Sequence, residues 1–217
     1  MRTGIKVIFV STGRCGTTRI AEILEKYLPG NCRVVHQTRF SRLANVVGNI
    51  RYHFPIGEAL GDLLYRKILQ AADKEGNFIS VDPLSPMIVP RSVISSEKTY
   101  IVHLVREPRE FAVSMFRLTR KKIYSFIAHN FIPFWQPYLF PLENIMSKNI
   151  LHKYEKICIE KNNFLARRFS PNPHYTRISM AKIFDNGTLA AMLSRILDEH
   201  IEIPEHELLK RTNQTQP

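Results

Sequence analysis

A nearly unbroken apolar run, Ile5 to Val10, stops at Ser11-Thr12-Gly13-Arg14-Cys15-Gly16-Thr17-Thr18, and an amphipathic stretch, Ile20 to Tyr27, begins just behind it. A strand that is apolar on both sides is a strand covered on both sides, which is the condition of a parallel sheet with helices on each face. The order strand, tight turn, helix therefore commits the chain to an α/β fold. Three more short runs read as strands, Arg33 to His36, Phe78 to Val81 and Tyr100 to Val105, with a fifth at Tyr175 to Ser179. Helical patterns separate them: a helix-like crossover over Ile56 to Ala72, a helix opened by Pro108, a long helix over Asn144 to Phe169 and one over Thr188 to Leu197. Phe126 to Leu142, rich in aromatics and broken by Pro133, Pro137 and Pro141, reads as an aromatic loop.

In such a sheet ligands gather beyond the carboxyl ends of the strands. Gly13, His36, Asp82 and Arg106 all fall there, delivered by four separate segments. The first loop has the chemistry of an anion site. Its glycines let backbone N–H groups converge, the following helix presents its positive end, Thr17 and Thr18 add hydroxyls, and Arg14 adds a fixed cationic fork. It is not an ATP loop by sequence. The G-x-x-x-x-G-K-[ST] spacing is missing, because Gly13 and Gly16 are too close and Thr17 stands where Lys should follow.

The loop resembles the first loop of the sulfotransferases that use 3′-phosphoadenosine 5′-phosphosulfate (PAPS), which reads T-G-R-S-G-T-T with small variations; here Cys15 takes the usual Ser position. A second segment, Arg106-Glu107-Pro108-Arg109-Glu110-Phe111-Ala112-Val113-Ser114, strengthens the likeness. In that family a strand ends in Arg and a Ser follows eight positions later on the next helix. The resemblance covers Ile5 to Ile23 and Thr99 to Arg120. It implies a three-layer, P-loop-like sulfotransferase architecture, a parallel sheet flanked by helices, in a single domain spanning residues 1–217 with a partly flexible tail from about 204.

The resemblance further implies a division of labour. Thr12, Gly13, Arg14, Cys15, Gly16, Thr17 and Thr18 would hold the 5′-phosphosulfate of the co-substrate PAPS, with Arg14 near the leaving oxygen. Arg106 and Ser114 would hold the 3′-phosphate. The reaction implied is in-line transfer of a sulfuryl group to a hydroxyl, or an amine, of a glycan, lipid or small molecule, with no metal expected. Without the family spacing, Arg106 reads rather as a surface ion pair with Glu107 or Glu110, and Ser114 as a residue of the helix surface. For the base that removes the acceptor proton, His36 is the first choice, since an imidazole titrates near neutrality, and Asp82 the second, although Asp82 before Pro83 also suits an Asx-turn. His53, His103 and His129 are reserves. Lys210 and Arg211 are candidates for a C-terminal segment folding over the nucleotide.

The chain of 217 residues carries 31 basic against 19 acidic residues, a net charge of +12 that attracts polyanions. Nucleic acid is disfavoured, because the basic residues are scattered and no standard motif accompanies them. Arg39 and Arg42 are candidates for recognising an acidic acceptor, and Arg117, Arg120, Lys121 and Lys122 make a basic patch beyond Ser114. Peripheral membrane contact and oligomeric state stay open. A nucleotide-dependent phosphotransferase and a basic, non-enzymatic anion-binding module are the alternative readings. Three widely spaced cysteines suggest neither a disulfide framework nor a zinc site, though Cys15 stands where a helix's positive end favours a thiolate. With no apolar run near the roughly 20 residues of a bilayer crossing and no leader pattern, the expected location is cytoplasmic.

Overall fold

The computed structural model describes residues 4–54, 57–70, 76–136, 149–185 and 187–209. Among them five parallel strands form one sheet in the order β2-β3-β1-β4-β5, with β1 Lys6–Ser11, β2 Cys32–Val35, β3 Asn77–Ser80, β4 Thr99–Val105 and β5 Tyr175–Ser179. All five strands expected from the sequence are present, each within a residue or two of its reading. The helices are α1 Thr17–Tyr27, α2 Ser41–His53, α3 Gly57–Gln70, α4 Arg91–Ile94, α5 Pro108–Lys121, α6 Ile123–Phe131, α7 Ile150–Phe169, α8 Met180–Ile183, α9 Thr188–Leu197 and α10 Glu205–Leu209, with a 3₁₀ turn at Pro86–Ile88.

The strand period of two splits β1 between two cores. Val7 and Phe9 join Ile20, Ile23 and Leu24 of α1 and Leu189 and Leu193 of α9 on one face. Ile8 and Val10 join Ala44 and Val47 of α2, Tyr65 and Ile68 of α3, and Leu165 and Phe169 of α7 on the other. Three layers result, as the apolar run demanded. Each fully buried aliphatic or aromatic side chain contributes about 1.5–3 kcal/mol, so the central strand anchors both faces at once. Gly48 lets α2 approach the 3₁₀ turn: a Cβ there would lie 2.6 Å from Met87 Cβ.

The strand order locates the crevice. β1 and β4 are hydrogen-bonded neighbours, paired from Lys6 with Thr99 to Ser11 with Leu104. The helix after β1 covers one face, and α7, in the crossover after β4, covers the other. Adjacent strands whose connections leave toward opposite faces splay apart at their carboxyl ends, which opens the crevice where doubly wound sheets bind ligands.

Two sequence readings change. The stretch read as an aromatic loop begins as a helix, α6, because its prolines start only at Pro133 and leave Ile123 to Phe131 free to coil; His129 Nδ1–H donates to the Ser125 carbonyl at 2.7 Å, and Asn130 Nδ2 to the Phe126 carbonyl at 2.7 Å. Residues 137–142 of that stretch lie outside the described residues. The long helix read from Asn144 starts at Ile150, where the Asn149 side chain accepts from the N–H groups of Leu151 and His152, while 144–148 are not described. The Ile56–Ala72 helix is placed over Gly57–Gln70, with 56, 71 and 72 outside the described residues. At the C-terminus, Ile201, Ile203 and Leu208 pack into the α1 face, and Glu207 pairs with Arg19 (2.5 Å) and Lys26 (2.7 Å). Lys210 and Arg211 lie outside the described residues.

Candidate nucleotide site

The loop between β1 and α1 holds three residues in left-handed backbone: Gly13 at φ 86°, Arg14 at φ 58° and Gly16 at φ 73°. Gly16 has no freedom to change. A Cβ there would sit 2.8 Å from the Phe184 ring, in a conformation that side-chain-bearing residues rarely adopt. Arg14 keeps a positive φ despite its Cβ, a cost of order 1–3 kcal/mol that surrounding bonds must offset. They do: Ser11 Oγ accepts from the Gly13 N–H at 3.1 Å, and Arg106 Nη1 donates to the Arg14 carbonyl at 2.9 Å. Among the described residues no acceptor meets the N–H groups of residues 14–18, and α1 has neither a capping side chain nor an acid in its first turn. Converging free N–H groups at a helix start form an anion cradle.

The two segments that the sequence sets ninety residues apart touch. Arg14 Nε donates to Ser114 Oγ at 3.1 Å, and Arg106 reaches across to the Arg14 carbonyl. Arg106 also pairs with Glu110 at 3.2 Å, the surface ion pair that is its alternative reading, while its Nη1 stays on the Arg14 carbonyl. Burial, and then the neighbouring charge of Arg106, hold the Arg14 guanidinium below its ordinary value. Two cations pressed together beside unmet N–H groups are a site that favours an anion. A small cleft continues from Arg106, Glu107 and Pro108 to Asn163 of α7 and Arg177 and Ser179 at the end of β5.

His36 follows β2 and meets the loop. Its Nδ1–H donates to the Val81 carbonyl at 3.0 Å, so the neutral ring keeps a lone pair on Nε2, which accepts from the Thr18 hydroxyl at 3.3 Å. Asp82 is buried and fully engaged: Ser41 Oγ donates to Oδ2 at 2.5 Å and the Leu84 N–H to Oδ1 at 2.9 Å. The Asx-turn reading before Pro83 thus describes its geometry. The reserve histidines serve the scaffold. His103 is wholly buried on β4, accepting from Tyr175 OH at 2.7 Å and donating to Asn162 Oδ1 at 3.1 Å, and burial pushes it down to about 4. His129 is tied into α6 and is lowered chiefly by burial. His53 ends α2 beside the Tyr52, Phe54 and Phe134 rings.

Cys15 departs from its sequence expectation. It is fully buried under the loop, and burial raises its thiol even though the Thr12 side chain bonds it, so it stays neutral. Cys158 of α7 is likewise pushed up to about 12, mainly by burial. Sequence reasoning misses Lys161. It lies on the buried face of α7, where burial pulls its ammonium down to about 8 against the opposing pull of Asp82. A signal is there: the α7 face that repeats Tyr154, Ile157, Cys158, Leu165 and Phe169 also carries Lys153 and Lys161, two lysines where an apolar stripe is required.

A crystal structure of a sulfotransferase from Alicyclobacillus acidocaldarius superposes with a TM-score of 0.57 at 12% identity, covering 99% of this chain and 88% of that one. The chain has the sulfotransferase fold. Mouse sulfotransferase SULT7A1, crystallised in complex with PAP, superposes with a TM-score of 0.52 at 12% identity, covering 94% of this chain but only 62% of that one. The chain therefore spans less than two thirds of the mouse protein. No protein-family model and no curated protein sequence matches it.

Proposed function

We propose that this chain is a sulfotransferase that takes its sulfuryl group from PAPS and passes it to a hydroxyl, or an amine, of a glycan, lipid or small molecule. The observation that carries the reading is the join between the two motifs. Arg14 bonds Ser114, Arg106 bonds the Arg14 carbonyl, and the N–H groups of residues 14–18 beside them meet no acceptor among the described residues. That donor set fits a nucleotide with an anionic group at each end. The likeness to sulfotransferase structures, one of them crystallised with PAP, supports the same reading.

Bound there, the nucleotide supplies an activated sulfuryl group and leaves as adenosine 3′,5′-bisphosphate, PAP. The chain positions and neutralises. The N–H groups of Arg14 to Thr18 would hold the 5′ end, and the Arg14 guanidinium would neutralise charge that develops on the leaving oxygen. Arg106, paired with Glu110, and Ser114 would hold the 3′-phosphate through charged and hydroxyl hydrogen bonds. His36 Nε2 takes the acceptor proton, with Nδ1–H held on Val81 so that the basic nitrogen faces the loop. Asp82, with both oxygens occupied, acts by holding the start of α2 through Ser41 rather than by taking a proton. Lys161 places a buried positive charge beneath the loop.

The test is transfer of labelled sulfuryl from PAPS to a panel of phenols, glycans and lipids. Turnover that needs the 3′-phosphate on the donor and falls at least a hundredfold in Arg14→Ala supports the proposal. Saturating donor binding without transfer to any acceptor class, or equal use of donors lacking the 3′-phosphate, overturns it.

A further inference from the structure

The helix α6 turns its polar side inward. Ser125, Ala128 and Asn130 are its buried residues, and Asn130 Oδ1 accepts from the buried Lys153 ammonium at 2.7 Å. The large apolar side chains point to solvent instead: Ile123 is 77% exposed, Tyr124 62%, Ile127 46% and Phe131 49%, with Phe126 and Ile132 also exposed. Ile123, Ile127 and Phe131 recur every four residues and so form one stripe along the helix, with Tyr124 beside it. Scattered exposed leucines need no explanation, but a continuous stripe of this size over a polar underside does.

Charge surrounds the stripe on one side and is of one sign. Arg117, Arg120, Lys121 and Lys122, all exposed, end α5 and lead directly into α6. From Phe111 to Leu142 the chain has no acidic residue at all. Between α5 and α6 lies a shallow groove walled by Phe116, Ile123 and Phe126 with Arg120 at its rim. An apolar face bordered by a cluster of four cations is the arrangement that lies flat on an anionic bilayer, the ring and aliphatic groups at the acyl boundary and the cations among the headgroups. A protein partner would have to be both apolar and acidic, and a second copy of this chain would oppose the same four cations to themselves.

We infer that α6 and the basic end of α5 form a docking surface for membranes rich in anionic phospholipid. The test of this surface uses no nucleotide. The full chain is sedimented with vesicles of phosphatidylcholine alone and with about 30% phosphatidylserine, at low and high salt. Binding should appear only with phosphatidylserine and fall at least about tenfold at high salt, since exposed charges are then screened. Ile123→Asp with Ile127→Asp should abolish it, and Arg117→Glu with Lys121→Glu should weaken it at least about tenfold. Because these side chains are exposed, circular dichroism melting of the variants should match the parent. No binding to phosphatidylserine vesicles by the parent overturns the proposal, as does equal binding to neutral vesicles. Light scattering that shows a dimer broken by the isoleucine substitutions, without vesicle binding, overturns it in favour of self-association.

Discussion

Lys161 offers a prediction that needs no knowledge of the reaction. An ordinary lysine ammonium titrates at 10.5, and burial lowers this one to about 8. A difference of that size corresponds to roughly 3 kcal/mol of differential interaction between the two protonation states. The sign follows from proton counting. Below pH 8 both folded and unfolded chains hold the proton, and the fold bears the whole cost of a buried charge. Between about 8 and 10.5 the unfolded chain holds it and the folded chain does not, so stability rises with pH across that window. Lys161→Met removes the group and with it this pH dependence. Losing the cation also takes a favourable neighbour from Asp82, so the informative quantity is the difference between wild type and variant measured at two pH values. Urea unfolding should show wild type gaining on the variant by about 2–3 kcal/mol between pH 7 and pH 10. A wild-type-minus-variant difference that stays constant over that range would mean that Lys161 titrates normally and that no buried ammonium lies under the loop.

Three further outcomes follow from the crevice. Arg106→Ala should weaken PAP binding by about 2–3 kcal/mol but adenosine 5′-monophosphate by no more than about 1–2, the part due to losing the bond to the Arg14 carbonyl; calorimetric titration of both ligands separates the two. Gly16→Ala forces a Cβ to 2.8 Å from Phe184 at a φ of 73°, so thermal unfolding should register a loss of at least about 1 kcal/mol, which Phe184→Ala should partly relieve. His36→Asn should leave PAP affinity within about threefold while cutting turnover by a factor of about 10²–10⁴, and the acidic limb of the pH–rate profile should vanish with it. A His36→Asn variant that keeps the acidic limb would assign the proton transfer elsewhere.

What the sequence discloses and what it hides divide along physical lines. β1 and the turn behind it are legible because an apolar run next to two glycines admits few structures, whereas Arg106 with Ser114 stands out only through its resemblance to the family's strand-end Arg and the Ser eight positions on. The contact between those segments is not, since sheet order is set by which crossover lies on which face, and nothing local encodes that. α2 escapes a reading by periodicity because Gly48 and its mixed polarity blur the period, although Gly48 is there so that Met87 can come close. α6 reads as a loop because aromatics and later prolines outweigh its nine uninterrupted residues, and its outward apolar face defeats any reading that assumes apolar means inside. Lys161 and Lys153 are lost in a helix whose charges look like a solvated face. Burial alone distinguishes them from Lys156, which faces outward on the same helix.

Whether one crevice grips a nucleotide at both ends is measured most directly by calorimetric titration of the chain with PAP, adenosine 5′-monophosphate and ATP in turn, without added metal and with Mg²⁺. PAP should bind at least about thirtyfold more tightly than the monophosphate, a difference of about 2 kcal/mol or more set by Arg106 and Ser114, and Mg²⁺ should leave this preference unchanged. Preference for ATP with Mg²⁺, or equal affinity for PAP and the monophosphate, would contradict it.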